Sequence, residues 1–123
     1  MNFSWCTVHV INLEESLRFY QEIVELPLDQ RFMAGPDREI AFLGSGETKL
    51  ELICNKTAAS VTFGADISIG FSTESLEELM KKLEEKNVPI IAGPIQPNPS
   101  TRFIFVKDPN GLTVQFSEHI NNE

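Results

Sequence analysis

Cysteine, tryptophan, tyrosine and positive charge are all scarce in this 123-residue sequence: two Cys, one Trp, one Tyr, and 10 basic against 18 acidic residues. Two thiols, Cys6 and Cys54, are too few for a disulfide scaffold and are expected to be free in a reducing, cytoplasmic setting. No apolar run approaches the ~20 residues that span a bilayer. Met1 leads into Asn2-Phe3-Ser4-Trp5 without the basic and apolar regions of a secretion signal. A formal charge of −8 offers no counter-charge to nucleic acid or an anionic membrane, so neither is an expected partner. Neutral or cationic small molecules remain. The chain also lacks a Gly-rich phosphate loop, a Gly-x-Ser-x-Gly elbow and a Cys-x-x-Cys pair. What it has is 41% hydrophobic and 23% charged residues, the balance of an ordinary globular protein. Its length suits one compact domain, or two small modules sharing a core.

The opening residues 3–11 are β-branched and aromatic and read as a strand. Asn12 then takes the N-cap place with Glu15 three residues on, and Leu13, Leu17, Tyr20 and Val24 recur at helical spacing until Pro27. Strands are expected over 28–33, 39–43 and 49–54, separated by Gly35-Pro36-Asp37 and Gly44-Ser45-Gly46 turns. A polar linker over 56–64 divides a first module, about 1–55, from a second, about 65–120. There the order repeats: a strand over 66–71, a helix carrying Leu76, Leu79, Met80 and Leu83, and strands over 89–92, 102–107 and 112–118. The charge run over 74–85 is a solvated helix face.

Each half therefore reads strand–helix–strand–strand–strand. At an offset of 64, Arg38 and Ile40 match Arg102 and Ile104, and Lys49-Leu50-Glu51-Leu52 falls on Thr113-Val114-Gln115-Phe116. Halves of this size bury little alone, so they should share a core within one chain or pair between chains.

Three blocks carry a family resemblance. Val10-Ile11-Asn12-Leu13 through Ser16 to Phe19-Tyr20 resembles V-x-D-L-x-x-S-x-x-F-Y at a first helix. Lys49-Leu50-Glu51-Leu52 is the second, and Arg102 through Asp108-Pro109-Asn110-Gly111 to Gln115-Phe116 the third. In this order they resemble the vicinal oxygen chelate superfamily: glyoxalase I, bleomycin-resistance proteins and extradiol dioxygenases. The resemblance implies an α+β fold, two βαβββ modules curling into a concave half-barrel sheet with helices outside, assembled as a homodimer.

The family's metalloenzymes place one ligand on the first and last strand of each half. By that resemblance the four positions fall on Trp5, Glu51, Asp66 and Gln115, where glyoxalases carry His, Glu, His or Gln, and Glu. Indole has an N–H donor and no lone pair for a metal, so Trp5 is no ligand. Glu51, Asp66 and Gln115 remain, an all-oxygen set suited to Mg²⁺ or Mn²⁺ with added waters and poor for Zn²⁺ or Ni²⁺. His9 and His119 lie four strand residues beyond Trp5 and Gln115, ~13 Å away, too far to replace a lost ligand. His9 is either a pocket-lining group or an exposed histidine near a strand end, and His119 belongs to the chain's end.

Alternation turns Glu51, between Leu50 and Leu52, away from the helix-packed face, and Gln115, between Val114 and Phe116, likewise. A Glu51 carboxylate desolvated by Trp5 and phenylalanines could act as a catalytic base. Trp5 is either a stacking platform for a planar or cationic ligand or a plug that fills the cavity. Cys6 and Met80 read as core. Two functions follow. The first is a cofactor-free protein, similar to the bleomycin-resistance branch, whose pocket of Trp5, His9, Glu51, Asp66 and Gln115 holds a neutral or cationic, aromatic small molecule. The second is a glyoxalase-like lyase or isomerase in which Glu51, Asp66 and Gln115 hold a divalent metal that steadies an enediolate. Only two carboxylates are placed, and a ligand carboxylate has little freedom to act as base. That shortage favours the binding reading.

Overall fold

The computed structural model describes residues 1–120. The chain divides into two units, Met1–Thr62 and a second beginning at Phe63. Each is a βαβββ arrangement with one mixed four-stranded sheet, which establishes the α+β class.

In the first unit, β1 (Trp5–Val10) is followed by α1 (Leu13–Arg18), β2 (Leu28–Met33), β3 (Arg38–Leu43) and β4 (Lys49–Asn55). The sheet order is β1-β4-β3-β2, with β1 parallel to β4 and the other pairs antiparallel. A parallel pair cannot be closed by a tight turn, and the helix supplies part of the crossover. Asn12 caps α1 as its position suggested, its Oδ1 accepting the Glu15 amide at 3.0 Å. The expected single α-helix is instead α-helical to Arg18 and π-helical over Phe19–Ile23, where the Val24 amide reaches back to the Phe19 carbonyl. A wider turn shifts the following residues around the axis. Phe19, Tyr20 and Ile23 thereby join Leu13, Ser16 and Leu17 in burial, while Val24 stays half-buried. Glu25 then adopts a left-handed φ of 64° and ends the helix before Pro27.

The second unit runs β5 (Ser68–Ser72), α2 (Leu76–Glu85), β6 (Ile90–Asn98), β7 (Thr101–Lys107) and β8 (Thr113–His119), in sheet order β5-β8-β7-β6. Ser75 caps α2 by accepting the Glu78 amide at 3.2 Å, and Leu76, Leu79 and Leu83 face inward. Met80, expected in the core, is half-buried and lines a groove with Val88 and Ile90. β6 runs well past the expected 89–92. It is an edge strand interrupted by three register shifts, which is how Pro94 and Pro97, lacking amide donors, are accommodated. At Gly93 the backbone has φ +100°, and a Cβ there would sit 2.7 Å from the Phe103 carbonyl oxygen. The Asp108-Pro109-Asn110-Gly111 segment is a structural turn. Buried Asp108 accepts the Asn110 and Leu112 amides at 2.8 and 2.9 Å through one oxygen.

Both units bury one sheet face against their own helix. In the first, Val8, Val10, Ala41, Leu43 and Leu52 fill it; in the second, Ile104, Val106, Val114 and Phe116. Alternation leaves the other face of each sheet open, and every strand-borne candidate stands there.

Candidate functional site

On the first unit's open face, the β1–β4 register sets Thr7 beside Glu51, and the β3–β4 register sets Phe42 on its other side. Thr7 Oγ1 donates to Glu51 Oε1 at 2.6 Å, which fixes the carboxylate's rotamer. The other carboxylate oxygen takes no protein partner among the described residues. Trp5 meets Phe42 edge-on at 6.2 Å, and Phe42 stacks with Phe32 at 6.3 Å and 19°. Trp5 is 56% exposed and Phe32 41%. An aromatic row thus passes one residue from a carboxylate with a free edge.

The nearest cation along β4 is Lys49, which turns its Nζ to the Gly44 carbonyl at 2.6 Å and toward Asp29 at 3.6 Å. Its charge is directed away from Glu51. His9 is exposed on the same face, its ladder partner being Ile53.

The second unit repeats the layout with different chemistry. Gln115 lies between Gly70 on β5 and Phe105 on β7, and Phe103 meets Phe105 edge-on at 5.6 Å. A Cβ on Gly70 would meet the Gln115 amide oxygen at 3.5 Å, so that oxygen lies over the bare glycine backbone. Asp66, expected to open a strand, instead lies in a turn before β5. The register explains the error. Trp5 is the ladder partner of Lys49, and the residue paired with Thr113, the counterpart of Lys49, is Ser68. The β5 counterpart of Trp5 is therefore Ser68, two residues beyond Asp66. His119 is exposed at the end of β8.

The helix-side faces carry the strong ion pairs. Arg31 on β2 binds Glu39 at 2.9 Å and also Glu14 of α1; the hydrogen bond it donates to Glu39, then that to Glu14, raises its pKa further. In the second unit Arg102, through a hydrogen bond, and then the Leu76 amide hold Glu118 below the usual carboxylate range. Both clusters fasten a helix to its sheet and point away from the open faces.

The donors do not fit a metal centre. The first unit offers one carboxylate, already bonded to Thr7, beside an indole where an imidazole would be needed. Gln115 offers a single neutral oxygen, and Asp66 is off the strand. Among the described residues no three or more His, Cys, Asp and Glu side chains are grouped to hold a metal ion.

Thr7, Phe32 and Phe42 complete the first unit's constellation and were not singled out from the sequence. Phe42 was accessible to the alternation argument, because it lies between buried Ala41 and Leu43 and so faces the other way. The Thr7 contact spans 44 residues and leaves no local trace.

Comparison with known proteins places these features in context. The family model for the glyoxalase/bleomycin resistance protein/dioxygenase superfamily matches residues 2–116. Comparison with curated proteins returns no match. Among solved structures, the trypanothione-dependent glyoxalase I of Leishmania major is similar at TM-score 0.82 and 24% identity, covering 94% of this chain and 85% of that one. A glyoxalase family protein from Bacillus cereus aligns at TM-score 0.81 and 17% identity, covering 94% and 91%. An antibiotic-binding protein of a Streptomyces species, TnmS3, aligns at TM-score 0.75 and 19% identity, covering 97% and 96%. At these identities the likeness shows the fold.

Proposed function

The chain belongs to the glyoxalase/bleomycin resistance protein/dioxygenase superfamily, and from that premise we propose that it binds a planar, cationic small molecule without a metal or other cofactor. One observation carries the reading: Glu51, oriented by Thr7, presents a free carboxylate edge beside the row Trp5–Phe42–Phe32, whose two outer members are exposed. Aromatic faces attract a cation through their quadrupole, each contact adding roughly 0.5–1 kcal/mol at an exposed site. A carboxylate at their edge adds charge complementarity and orients the ligand. Trp5 acts as a platform in this reading, which its 56% exposure supports over a plug. His9 borders the site; Gln115 and Asp66 are proposed as secondary pocket groups. A neighbour of the same fold is an antibiotic-binding protein, which accords with the binding role.

The working form is proposed to be a cytoplasmic homodimer. The free thiols Cys6 and Cys54 support the first element, and the exposed Ile91 and Ile95 on edge strand β6 the second. Light scattering that gives a monomer mass at micromolar concentration overturns the dimer.

The binding reading is tested by quenching of the single tryptophan's fluorescence with a panel of planar dyes, 9-aminoacridine as the cationic probe. Saturable quenching is expected, weakened about three- to tenfold in Glu51→Gln. Fluorescence unmoved across neutral and cationic members of the panel overturns it.

A further inference from the structure

Building on that reading of the open face, we propose that its ligand also carries an anionic arm, received by Arg38 at the face's opposite end. Arg38 begins β3 on the same parity as Ile40 and Phe42, with Asn55 as its ladder partner. There the paired ends of β3 and β4 and the β2–β3 turn border an open groove of about 260 Å³ lined by Ala34, Pro36, Asp37, Arg38, Asn55 and Thr57.

Two polar groups of this groove, on Arg38 and Asn55, are available as donors. Asn55 Oδ1 is occupied, accepting the Thr57 amide at 3.1 Å and the Thr57 hydroxyl at 2.8 Å. With that oxygen occupied, what the Asn55 side chain has left to offer a ligand is its amide nitrogen, a donor. The Lys56 amide donates to the Asp37 carbonyl at 2.7 Å and closes the turn against the strand end. Arg31 and Arg102 are each held in ion pairs, whereas the Arg38 guanidinium takes no protein partner among the described residues. A planar guanidinium with an amide beside it matches a carboxylate, which it can bind through two parallel hydrogen bonds.

The two ends belong to one strand pair. Asn55 lies four residues beyond Glu51 on β4, and Arg38 four before Phe42 on β3, a span of ~13 Å. Between them the face is apolar, carrying Ile40 and Ile53, with His9 at its border. Acidic end, apolar middle and basic end together select an elongated amphoteric molecule: a planar cation joined to a carboxylate at that separation. Asp37 lines the same groove, and its charge opposes the anion. Its removal should therefore strengthen the effect.

Two probes separate this inference from the reading beneath it: 9-aminoacridine, and the same dye bearing a carboxylate on an alkyl arm. The armed dye is expected to bind the full chain about fivefold or more tightly than the bare one. Arg38→Gln should erase that difference, Arg38→Lys should keep part of it, and Asp37→Asn should enlarge it. Equal affinities in the wild type, or a difference that survives Arg38→Gln, overturn the anionic arm. Should the bare dye fail to bind, the cation site falls, and the Arg38 groove is read separately by titrating benzoate into the ¹⁵N-labelled chain. Shifts of the Asn55 and Thr57 amides that vanish in Arg38→Gln then support it; unmoved amides overturn it.

Discussion

Arg102 donates from Nη2 to Glu118 Oε2 at 2.8 Å across the β7–β8 ladder, while the other oxygen of that carboxylate accepts the Leu76 amide at 3.1 Å. One side chain thus joins two strands to the first turn of α2. The carboxylate is stabilised in its charged form, first by the arginine and then by the amide, and its pKa lies below the ordinary 4.5.

The sign of the resulting pH dependence follows from that direction. A carboxyl group with a lower pKa folded than unfolded contributes stability above the unfolded value, lost as pH falls through the folded one. Glu118→Gln should lower the melting temperature by roughly 3–5 °C near neutrality, for a charge-assisted bond partly open to solvent. The gap to wild type should close as pH falls below about 4.5. Thermal melts from about pH 7 to about pH 3 decide it, and a gap constant across that range refutes the assignment.

In the proposed binding role, Thr7 acts on a ligand through Glu51. Thr7→Val keeps the shape and the β-branched preference while removing the 2.6 Å hydrogen bond that orients the carboxylate. We expect 9-aminoacridine binding to weaken about threefold. The melting temperature should stay within about 1 °C of wild type, because both side chains are on the open face. A large stability loss with unchanged affinity would reverse the assignment, making the bond structural.

Gly93 is required by its surroundings. A left-handed φ of +100° and a carbonyl oxygen 2.7 Å from any Cβ leave no relaxed position for alanine. Gly93→Ala should cost about 2–4 kcal/mol, seen as a lower urea midpoint. Gly46, where an added Cβ would meet nothing within 4 Å, is the matched control, and Gly46→Ala should move the midpoint little.

Divalent metals should leave the protein unmoved. With one carboxylate already bonded to a hydroxyl and an indole beside it, Mg²⁺, Mn²⁺, Ni²⁺ or Zn²⁺ should raise the melting temperature by less than about 1 °C. Stoichiometric metal in the purified protein, lost in Glu51→Ala, would overturn the reading of the donor set.

Much of the fold could be read from local pattern. The β2 boundaries at Leu28 and Met33 and the Asn12 cap follow from alternation and capping chemistry, both properties of adjacent residues. What escaped was set by partners distant in sequence. The π-helical turn at Phe19–Ile23 depends on how two aromatic rings reach the core, which a 3.6-residue stripe does not encode. β6 continues to Asn98 because an edge strand tolerates Pro94 and Pro97, where a central strand would not. Asp66 falls outside β5 because a resemblance laid along the chain does not contain the β5–β8 register. The site was legible in part for the same reason. Glu51 and Trp5 stand out by residue type and Phe42 by alternation, but Thr7 and Arg38 take their proposed roles from neighbours across the sheet.

Gly70 gives the duplicated architecture a further use. It occupies on β5 the ladder place that Thr7 occupies on β1, with Gln115 beside it where the first unit has Glu51. Its backbone has no left-handed strain, and the Gln115 oxygen is at ordinary contact distance from an added Cβ. The second unit is therefore a blank template for protein engineering. Installing Gly70→Thr with Gln115→Glu should copy the hydroxyl–carboxylate pair beside Phe105. A fold whose first unit carries one hydroxyl–carboxylate pair would become a scaffold on which a second, independently tunable surface can be written.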